Sequence, residues 1–386
     1  MRNVLKSTVV TAGLAIFSML FGAANLMFPV QAGVNSGDKF IWGIAGFLTT
    51  AVLLPVIGLI AVILFDGNYK TFFNRLGKIP GFLSVAFCMA VIGPFIAMSR
   101  IVTLSYTMLL PFLPHVSLPI FSVVFCGITF LATYRENKII DLLGHVISPA
   151  LLISLGIILI KGMLHPTTLV PVAASNWNIF YEQAKLGYGH LDLLGGIFFA
   201  SIVLTILKKT MKDHNDYDVK TLAWTAMKAG LFGCTLLGFV YTGMAFLGAF
   251  YGKTIQASNG AELFSRISFK IMGTHGAFII AIAVAMACFS TIIALATILA
   301  EYVQVELTNN KVEYIPCLVG VLGFTSILSC YGLTTIMELS MPIIETCYPV
   351  IIVITLLNIA YKLWGFTPIK IPTAIALVAS IYVNFM

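Results

Sequence analysis

Long apolar runs bounded by charged residues dominate the pattern of the chain. Residues 40–65 and 271–300, for example, contain no Asp, Glu, Lys or Arg. Each run exceeds the roughly 20 residues that an α-helix needs to cross a bilayer. Backbone groups in lipid must bond internally, so such runs form helices or closed barrels, and a barrel would alternate polar and apolar positions. The pattern therefore predicts an all-α, polytopic membrane protein.

Eleven membrane segments are predicted, within a single transmembrane domain covering residues 1–386. Five segments fall in repeat one (7–161), five in repeat two (189–363), and one is an extra helix (368–385). An odd number of helices per repeat inverts the second repeat relative to the first, which is a frequent transporter architecture. The predicted segments are 7–32, 40–65, 81–110, 119–133, 139–161, 189–207, 224–251, 275–303, 315–330, 341–363 and 368–385.

Composition and charge support a membrane location. The chain is 59% hydrophobic and 10% charged, with mean hydropathy +1.01, far less charge than the roughly 25% of a soluble domain. With the N-terminus in the cytoplasm, fifteen of the 22 Lys and Arg residues lie on the cytoplasmic side, six on the outer side and Arg100 within a helix. This bias is the one expected of inner-membrane proteins. It also explains the net charge of +7 without a nucleic-acid partner.

The first segment contains an unusual cluster of helix-breaking residues. Gly22, Ala23, Ala24 and Asn25 lie in mid-membrane, followed by Pro29. Gly costs a helix about 1 kcal/mol and Pro about 3 kcal/mol. One interpretation is a kinked helix that packs closely against a neighbour. The other is an unwound stretch, whose carbonyls face a cation and whose amides face a substrate carboxylate.

The sixth segment carries a second pair of helix-weakening residues, Gly195 and Gly196, at the matching place in the second repeat. Two interrupted helices in corresponding positions indicate a binding site near the membrane midplane. Phe198, Phe199 and Ser201 follow this pair and are candidates for a substrate pocket. In most helices, phenylalanines at such positions would simply face lipid or the core.

Hydroxyl groups in the eighth segment suggest a cation site. Ser290 and Thr291 are adjacent in an otherwise apolar helix. Such hydroxyls often bond back to carbonyls of their own helix. Together with carbonyls freed by an unwound helix, they would also suit sodium.

Arg100 interrupts the third segment. An arginine inside a membrane helix usually faces the protein interior, so Arg100 is a candidate for gating or charge compensation. It would pair with an acidic side chain or, alternatively, extend to the outer interface. The candidate acidic partners are Asp192, Glu301, Glu338 and Glu345.

Three blocks of sequence resemble the bacterial branched-chain amino acid:cation symporters. They are FGAANLMFP (21–29), IGPFIAMSR (92–100) and SMPIIETCYPVIIVITLL (340–357). Two departures from the family pattern occur, with Ala24 where a glycine is usual and Ser99 where a proline is usual. Members of that family are usually longer and carry twelve predicted helices. The resemblance implies a transporter of small hydrophobic amino acids.

The first helix is also similar to that of neurotransmitter:sodium symporters, which have an inverted-repeat fold with discontinuous helices 1 and 6. This similarity implies that Gly22, Ala23 and Ala24 contact the substrate carboxylate, beside Asn25. It further implies a sodium site between the first-helix break and the eighth helix. The residues of that site would be Ser18, Phe21, Ala287, Ser290 and Thr291.

These observations predict sodium-coupled uptake of leucine, isoleucine and valine across the inner membrane by alternating access. An apolar pocket separates such side chains by only about 1–3 kcal/mol, which brings methionine within its range. Sodium is the coupling ion, and no other cofactor is expected. The sequence contains no nucleotide-binding loop and no HExxH motif, so we do not expect an enzyme.

Other interpretations remain open. A carrier of the same fold could be coupled to protons instead of sodium. A membrane-embedded enzyme or a channel would belong to a different class. The former should place paired histidines or carboxylates at the midplane, and the latter should show pore repeats.

Overall fold

The computed structural model describes residues 2–22, 24–134, 148–212 and 219–385, and over these ranges the regular secondary structure is helical. Each of the eleven predicted segments has a helical counterpart, although residues 139–147 of the fifth lie outside the described ranges. Six stretches are long and apolar enough to cross a membrane, and shorter apolar helices accompany them. The helices are α1 (Arg2–Leu20), α2 (Ala24–Ser36), α3 (Phe40–Leu48), α4 (Leu54–Ile63), α5 (Tyr69–Asn74), α6 (Lys78–Ile92), α7 (Ala97–Leu109), α8 (Leu118–Tyr134), α9 (Ser148–Leu164), α10 (Asn176–Gly187), α11 (Asp192–Lys212), α12 (Val219–Tyr251), α13 (Gly260–Tyr302), α14 (Tyr314–Ser329), α15 (Leu333–Trp364) and α16 (Lys370–Phe385).

The first membrane segment is interrupted where the sequence predicts. Regular winding stops after Leu20 and resumes at Ala24. Pro29 lies inside α2, six positions into the helix, rather than at the break itself. The interpretation as an unwound stretch is therefore confirmed for this helix.

The second interruption lies earlier than predicted. α11 runs without a break through Gly195 and Gly196, and the winding is instead lost at residues 188–191, where Leu191 has φ 63°. A Cβ at Gly196 would lie 2.4 Å from the Pro55 carbonyl oxygen. These glycines thus allow close packing against α4 rather than unwinding the helix. α10, which the sequence places in an outer connection, is the first half of this interrupted helix.

A third interruption, at residues 93–96 between α6 and α7, was not predicted. Pro94 has no backbone N–H to donate to the preceding turn. The Met98 N–H reaches back to the Gly93 carbonyl at 3.0 Å, and the Ser99 hydroxyl donates to the Pro94 carbonyl. Because of this break, α7 begins as a new helix at Ala97 and carries the buried Arg100 in its first turn.

Close backbone contacts fix both halves of the first helix to α12. A Cβ at Gly33 on α2 would lie 1.8 Å from the Ala245 carbonyl oxygen. On α1, a Cβ at Gly13 would lie 2.9 Å from the Ala229 carbonyl oxygen. Small residues at such crossings let helices approach to backbone contact. α1 and α2 therefore keep their alignment across the break because α12 spans both.

We expect Gly33→Ala to destabilise the protein, because the added methyl group overlaps backbone of α12. Overpacking of this kind costs about 1–3 kcal/mol. The measurement is the melting temperature of the purified protein in detergent. Gly127→Ala on α8 is the matched control, since a Cβ there meets nothing within 4 Å. An equal fall in both variants would contradict the proposed contact.

Candidate functional site

A cavity of about 60 Å³ lies where the two interrupted helices meet. Gly22 and Asn25 line it from the first break, and His190 and Asp192 from the second. α7 and α13 close it from the other side. The volume is enough for a few water molecules. A cavity therefore lies at the junction of the two helix breaks, where the sequence predicts a binding site.

Asn25 organises the first break. Its side-chain oxygen accepts a hydrogen bond from the Gly22 N–H at 2.9 Å, and its side-chain amide donates to Asp192 Oδ2 at 3.3 Å. The same amide contacts the Tyr241 hydroxyl. Asn25 is 1% exposed. A single buried side chain thus satisfies backbone freed by the first break and joins it to the second.

Asp192 is the centre of the second break. It is the first residue of α11, where the positive end of the helix dipole stabilises a carboxylate. Besides Asn25, the Tyr241 hydroxyl donates to Oδ2 at 3.0 Å, and His190 Nδ1 lies 3.1 Å from the same oxygen. Nearby, the Leu193 N–H donates to the Tyr348 hydroxyl at 2.9 Å. Helices of both repeats are bonded together at this point.

The importance of this cluster is not apparent from the sequence. Asp192 was expected only as a possible partner of Arg100, and His190 and Tyr241 were not predicted. A signal was available, because an acidic residue in an apolar membrane segment is a functional candidate by default. No local pattern, however, links Tyr241 to Asp192 across 49 residues of chain.

Arg100 is buried, with 2% of its surface exposed, so the interpretation that it extends to the interface is wrong. Nη1 donates to the Gly189 carbonyl at 2.9 Å, and Nη2 contacts the Ser340 hydroxyl. The guanidinium carbon lies 5.7 Å from the centre of the Phe28 ring. Arg100 thus braces the second break against α15.

The predicted pairing of Arg100 with a carboxylate is not observed in the described ranges, where no ion pair includes it. Of the predicted partners, Glu345 instead pairs with Lys185 at 3.2 Å. Asp192 is bonded to His190. Sequence distance and charge alone could not show that neutral oxygens hold the guanidinium.

One pair from the predicted sodium site, Thr291 and Phe21, meets across the two helices, whereas the Ser290 and Thr291 hydroxyls also bond back to the Ala287 carbonyl of their own helix. The Thr291 hydroxyl donates to the Phe21 carbonyl at 3.3 Å and to the Ala287 carbonyl at 3.1 Å. The Ser290 hydroxyl donates to the Ala287 carbonyl at 2.8 Å. Ser18 lies in the last turn of α1 and does not line the cavity. Carbonyl and hydroxyl oxygens of this kind coordinate sodium in transporters with broken helices.

Of the predicted substrate residues on the first break, the structure describes Gly22, Ala24 and Asn25 but not Ala23. Gly22 and Asn25 line the cavity, whereas Ala23 lies outside the described residues. Ala24 begins α2, so its backbone amide belongs to the unpaired N–H groups of a helix start. The prediction for Ala23 and Ala24 stays a prediction.

On α11, Phe198 and Phe199 line the cavity but Ser201 does not. The Ser201 hydroxyl donates to the Phe198 carbonyl at 3.3 Å, and its backbone packs near Gly67. The second break lies nearer the N-terminus than predicted, so α11 begins at Asp192. Only residues in the first two turns of α11 face the cavity, and Ser201 lies beyond them.

We expect Tyr241→Phe to destabilise the protein by about 1–3 kcal/mol, since a buried carboxylate loses a hydrogen-bond donor. The measurement is the melting temperature in detergent. Tyr302→Phe is the matched control, because the buried Tyr302 hydroxyl has no partner in the described structure. A loss in the control as large as that in Tyr241→Phe would show that the effect does not come from Asp192.

Solved structures share this fold. Two structures of Mhp1, a nucleobase-cation-symport-1 family transporter, superpose with TM-score 0.66, at 12% and 14% identity. They cover 97% of this chain, which matches 89% and 91% of theirs. MhsT in complex with L-phenylalanine gives TM-score 0.62 at 15% identity, covering 97% of this chain and 98% of that one. The chain therefore has the fold of these transporters, with discontinuous first and sixth helices.

Sequence relatives cover almost the whole chain. The branched-chain amino acid permease BrnQ of Bacillus subtilis is 28% identical over 94% of this chain and 83% of its own length. The Escherichia coli K12 permease BrnQ is 27% identical over 92% of this chain and 81% of its own length. These relatives are transporters and not enzymes. The family model described as branched-chain amino acid transport protein matches residues 5–385, and the chain belongs to that family.

Proposed function

We propose that this protein takes up leucine, isoleucine and valine together with sodium, by alternating access. The observation that carries the proposal is the buried cavity at the junction of the two helix breaks, lined by Gly22, Asn25 and Asp192. The backbone of two interrupted helices and buried polar side chains meet there in the middle of an apolar bundle. Relatives named as branched-chain amino acid permeases support the substrate class.

Apolar side chains on the cavity wall suit a branched aliphatic substrate. Leu20, Ile101, Phe198, Phe199 and Leu295 line it. Such a wall distinguishes aliphatic side chains by only about 1–3 kcal/mol, so methionine is included among the proposed substrates. The cavity enlarges to admit the side chain, which fits a carrier that opens and closes during transport.

Sodium would bind between the first break and α13. The Phe21 carbonyl and the Thr291 hydroxyl already lie 3.3 Å apart, and the Ser290 hydroxyl and the Ala287 carbonyl are adjacent. The Ser18 carbonyl would complete the set. An ion held there links α1 to α13 and stabilises the break in the shape that accepts substrate.

The proposed orientation places the N-terminus in the cytoplasm and the protein in the bacterial inner membrane. The excess of Lys and Arg in one set of connections supports this orientation. The repeats predicted from the sequence are residues 7–161 and 189–363, followed by the extra helix 368–385. Because α10 supplies the first half of the sixth helix, the second repeat is proposed to begin at Asn176 rather than at residue 189.

Proton coupling is the second candidate, favoured by the buried pair of His190 and Asp192. Asn25, Tyr241 and the neighbouring Arg100 also surround this pair. A carboxylate that gains and loses a proton there would change the bonding between the two breaks.

Leucine uptake into proteoliposomes distinguishes the two coupling ions. We expect an inward sodium gradient to drive accumulation at constant pH, with the membrane potential clamped. Uptake driven by a pH gradient without sodium would favour the second candidate. Failure of either gradient to drive uptake of leucine, isoleucine or valine would refute the proposed function.

We expect the double variant Ser290→Ala with Thr291→Ala to need at least about tenfold more sodium for half-maximal uptake, equivalent to about 1.4 kcal/mol of binding free energy. The measurement is leucine uptake over a range of sodium concentrations. Thr297→Ala, on the same helix, is the control, since its hydroxyl bonds back to Ile293 at 3.0 Å. Unchanged sodium dependence of the double variant would remove this cation site even if leucine is the substrate.

A further inference from the structure

Arg100 lines the cavity, and none of the ion pairs among the described residues includes it. Its two bonded nitrogens donate to neutral oxygens, those of Gly189 and Ser340. The third nitrogen, Nε, is buried without a partner in the described structure. A buried charge that is neither paired nor fully bonded is strongly unfavourable. Arg100, which lines the cavity, therefore has a positive charge outside any described ion pair and an N–H with no described partner.

Asp192 provides the opposite charge on the same cavity. The three described hydrogen bonds to its carboxylate all end on Oδ2, from Asn25, Tyr241 and His190. None of the described bonds uses Oδ1, and the side chain retains 7% exposure. Arg100 bonds to Gly189, three residues before Asp192, so both charges belong to the second break.

Gly22 does not supply a free amide for a substrate carboxylate. Its N–H already donates to Asn25 Oδ1 at 2.9 Å. A carboxylate entering the cavity thus needs a donor other than Gly22, and the Ala24 amide alone would offer it a single neutral bond. A guanidinium is well suited, because charge-assisted bonds to a carboxylate are about twice as strong as neutral ones.

We propose that Arg100 and Asp192 are the two charged contacts for the zwitterionic amino acid, Arg100 binding its carboxylate and Asp192 Oδ1 its ammonium group. This inference rests on the proposed function. It identifies the residues that bind the carboxylate and the ammonium group, which all the proposed substrates share. The substrate carboxylate neutralises the charge of Arg100, its ammonium group uses the Asp192 oxygen that His190 leaves free, and the substrate links α7 to α11 across the second break. Selectivity for free amino acids over their amides or hydroxy acids follows from the two charges, whereas the apolar wall selects the side chain.

Binding of leucine and leucinamide to the purified full-length protein tests the role of Arg100. Leucinamide keeps the side chain and the ammonium group but lacks the carboxylate. We expect wild type to prefer leucine by at least about 100-fold, the scale of a buried charge pair. In Arg100→Gln the affinity for leucine falls by a similar factor while that for leucinamide falls little, so the preference disappears.

Asp192→Asn gives the complementary measurement. Its affinity for leucine should fall, whereas its relative affinity for 2-hydroxy-4-methylpentanoate, which lacks the ammonium group, should rise. Arg75→Gln is the control, because Arg75 also bonds to neutral acceptors, Asn358 and Thr367, but does not line the cavity. It should leave the preference for leucine over leucinamide unchanged.

The outcomes separate this inference from the proposed function. Wild type that binds no branched-chain amino acid refutes the proposed function itself. Suppose that wild type binds leucine and that Arg100→Gln folds. The role of Arg100 is then overturned if the variant loses affinity for leucine and leucinamide in equal proportion, or binds neither. Folding is checked by melting temperature, and Arg100→Lys serves if the glutamine variant does not fold. Lysine keeps the charge without the planar fork, so it should retain a weakened preference for leucine, and loss of that preference would also overturn the inference.

Discussion

The structure depends on how broken helices satisfy their backbone groups without water. An unbonded N–H or carbonyl is costly in an apolar interior. Each break is therefore held by side chains, some next to it in the chain and some distant. Asn25 bonds to the first break and Arg100 to the second, and Asp192 receives bonds from Asn25, Tyr241 and His190. The polar groups that stabilise the breaks are also those that surround the cavity, so structure and binding share one set of residues.

The helices and the first break follow from the sequence because their causes are local. Apolar runs must be helical in lipid, and the cluster at Gly22 weakens a helix within a few residues. The position of the second break was predicted wrongly because a glycine can either weaken a helix or allow close packing within a continuous helix. Gly196 meets the backbone of α4 in a continuous helix, and only the packing of the folded chain distinguishes this use from unwinding. The break at residues 188–191 contains a left-handed Leu191, which no residue preference would predict.

The polar contacts of the site were predicted less completely, since they join residues far apart in the chain. Thr291 meets the Phe21 carbonyl across 270 residues, a contact that resemblance to a known family anticipated. Tyr241 and His190 belong to no motif and were missed. Arg100 was singled out as a candidate with its position left open between the interior and the outer interface, and its partners were not predicted. Charge complementarity favoured an acidic side chain, whereas the fold supplies a backbone carbonyl and a hydroxyl.

The close crossings at Gly13 and Gly33 constrain how the carrier can move. Both halves of the first helix touch the backbone of α12, and Gly196 fastens α11 to α4 in the same way. Neither half of the first helix can swing alone without separating backbones that lie in contact. α1, α2 and α12 are therefore held together as one packed unit. A Cβ at Gly260 would lie 2.6 Å from the Met27 carbonyl oxygen, so the start of α13 is held against α2 in the same way. The Thr291–Phe21 contact joins α13 to the first break at a second point.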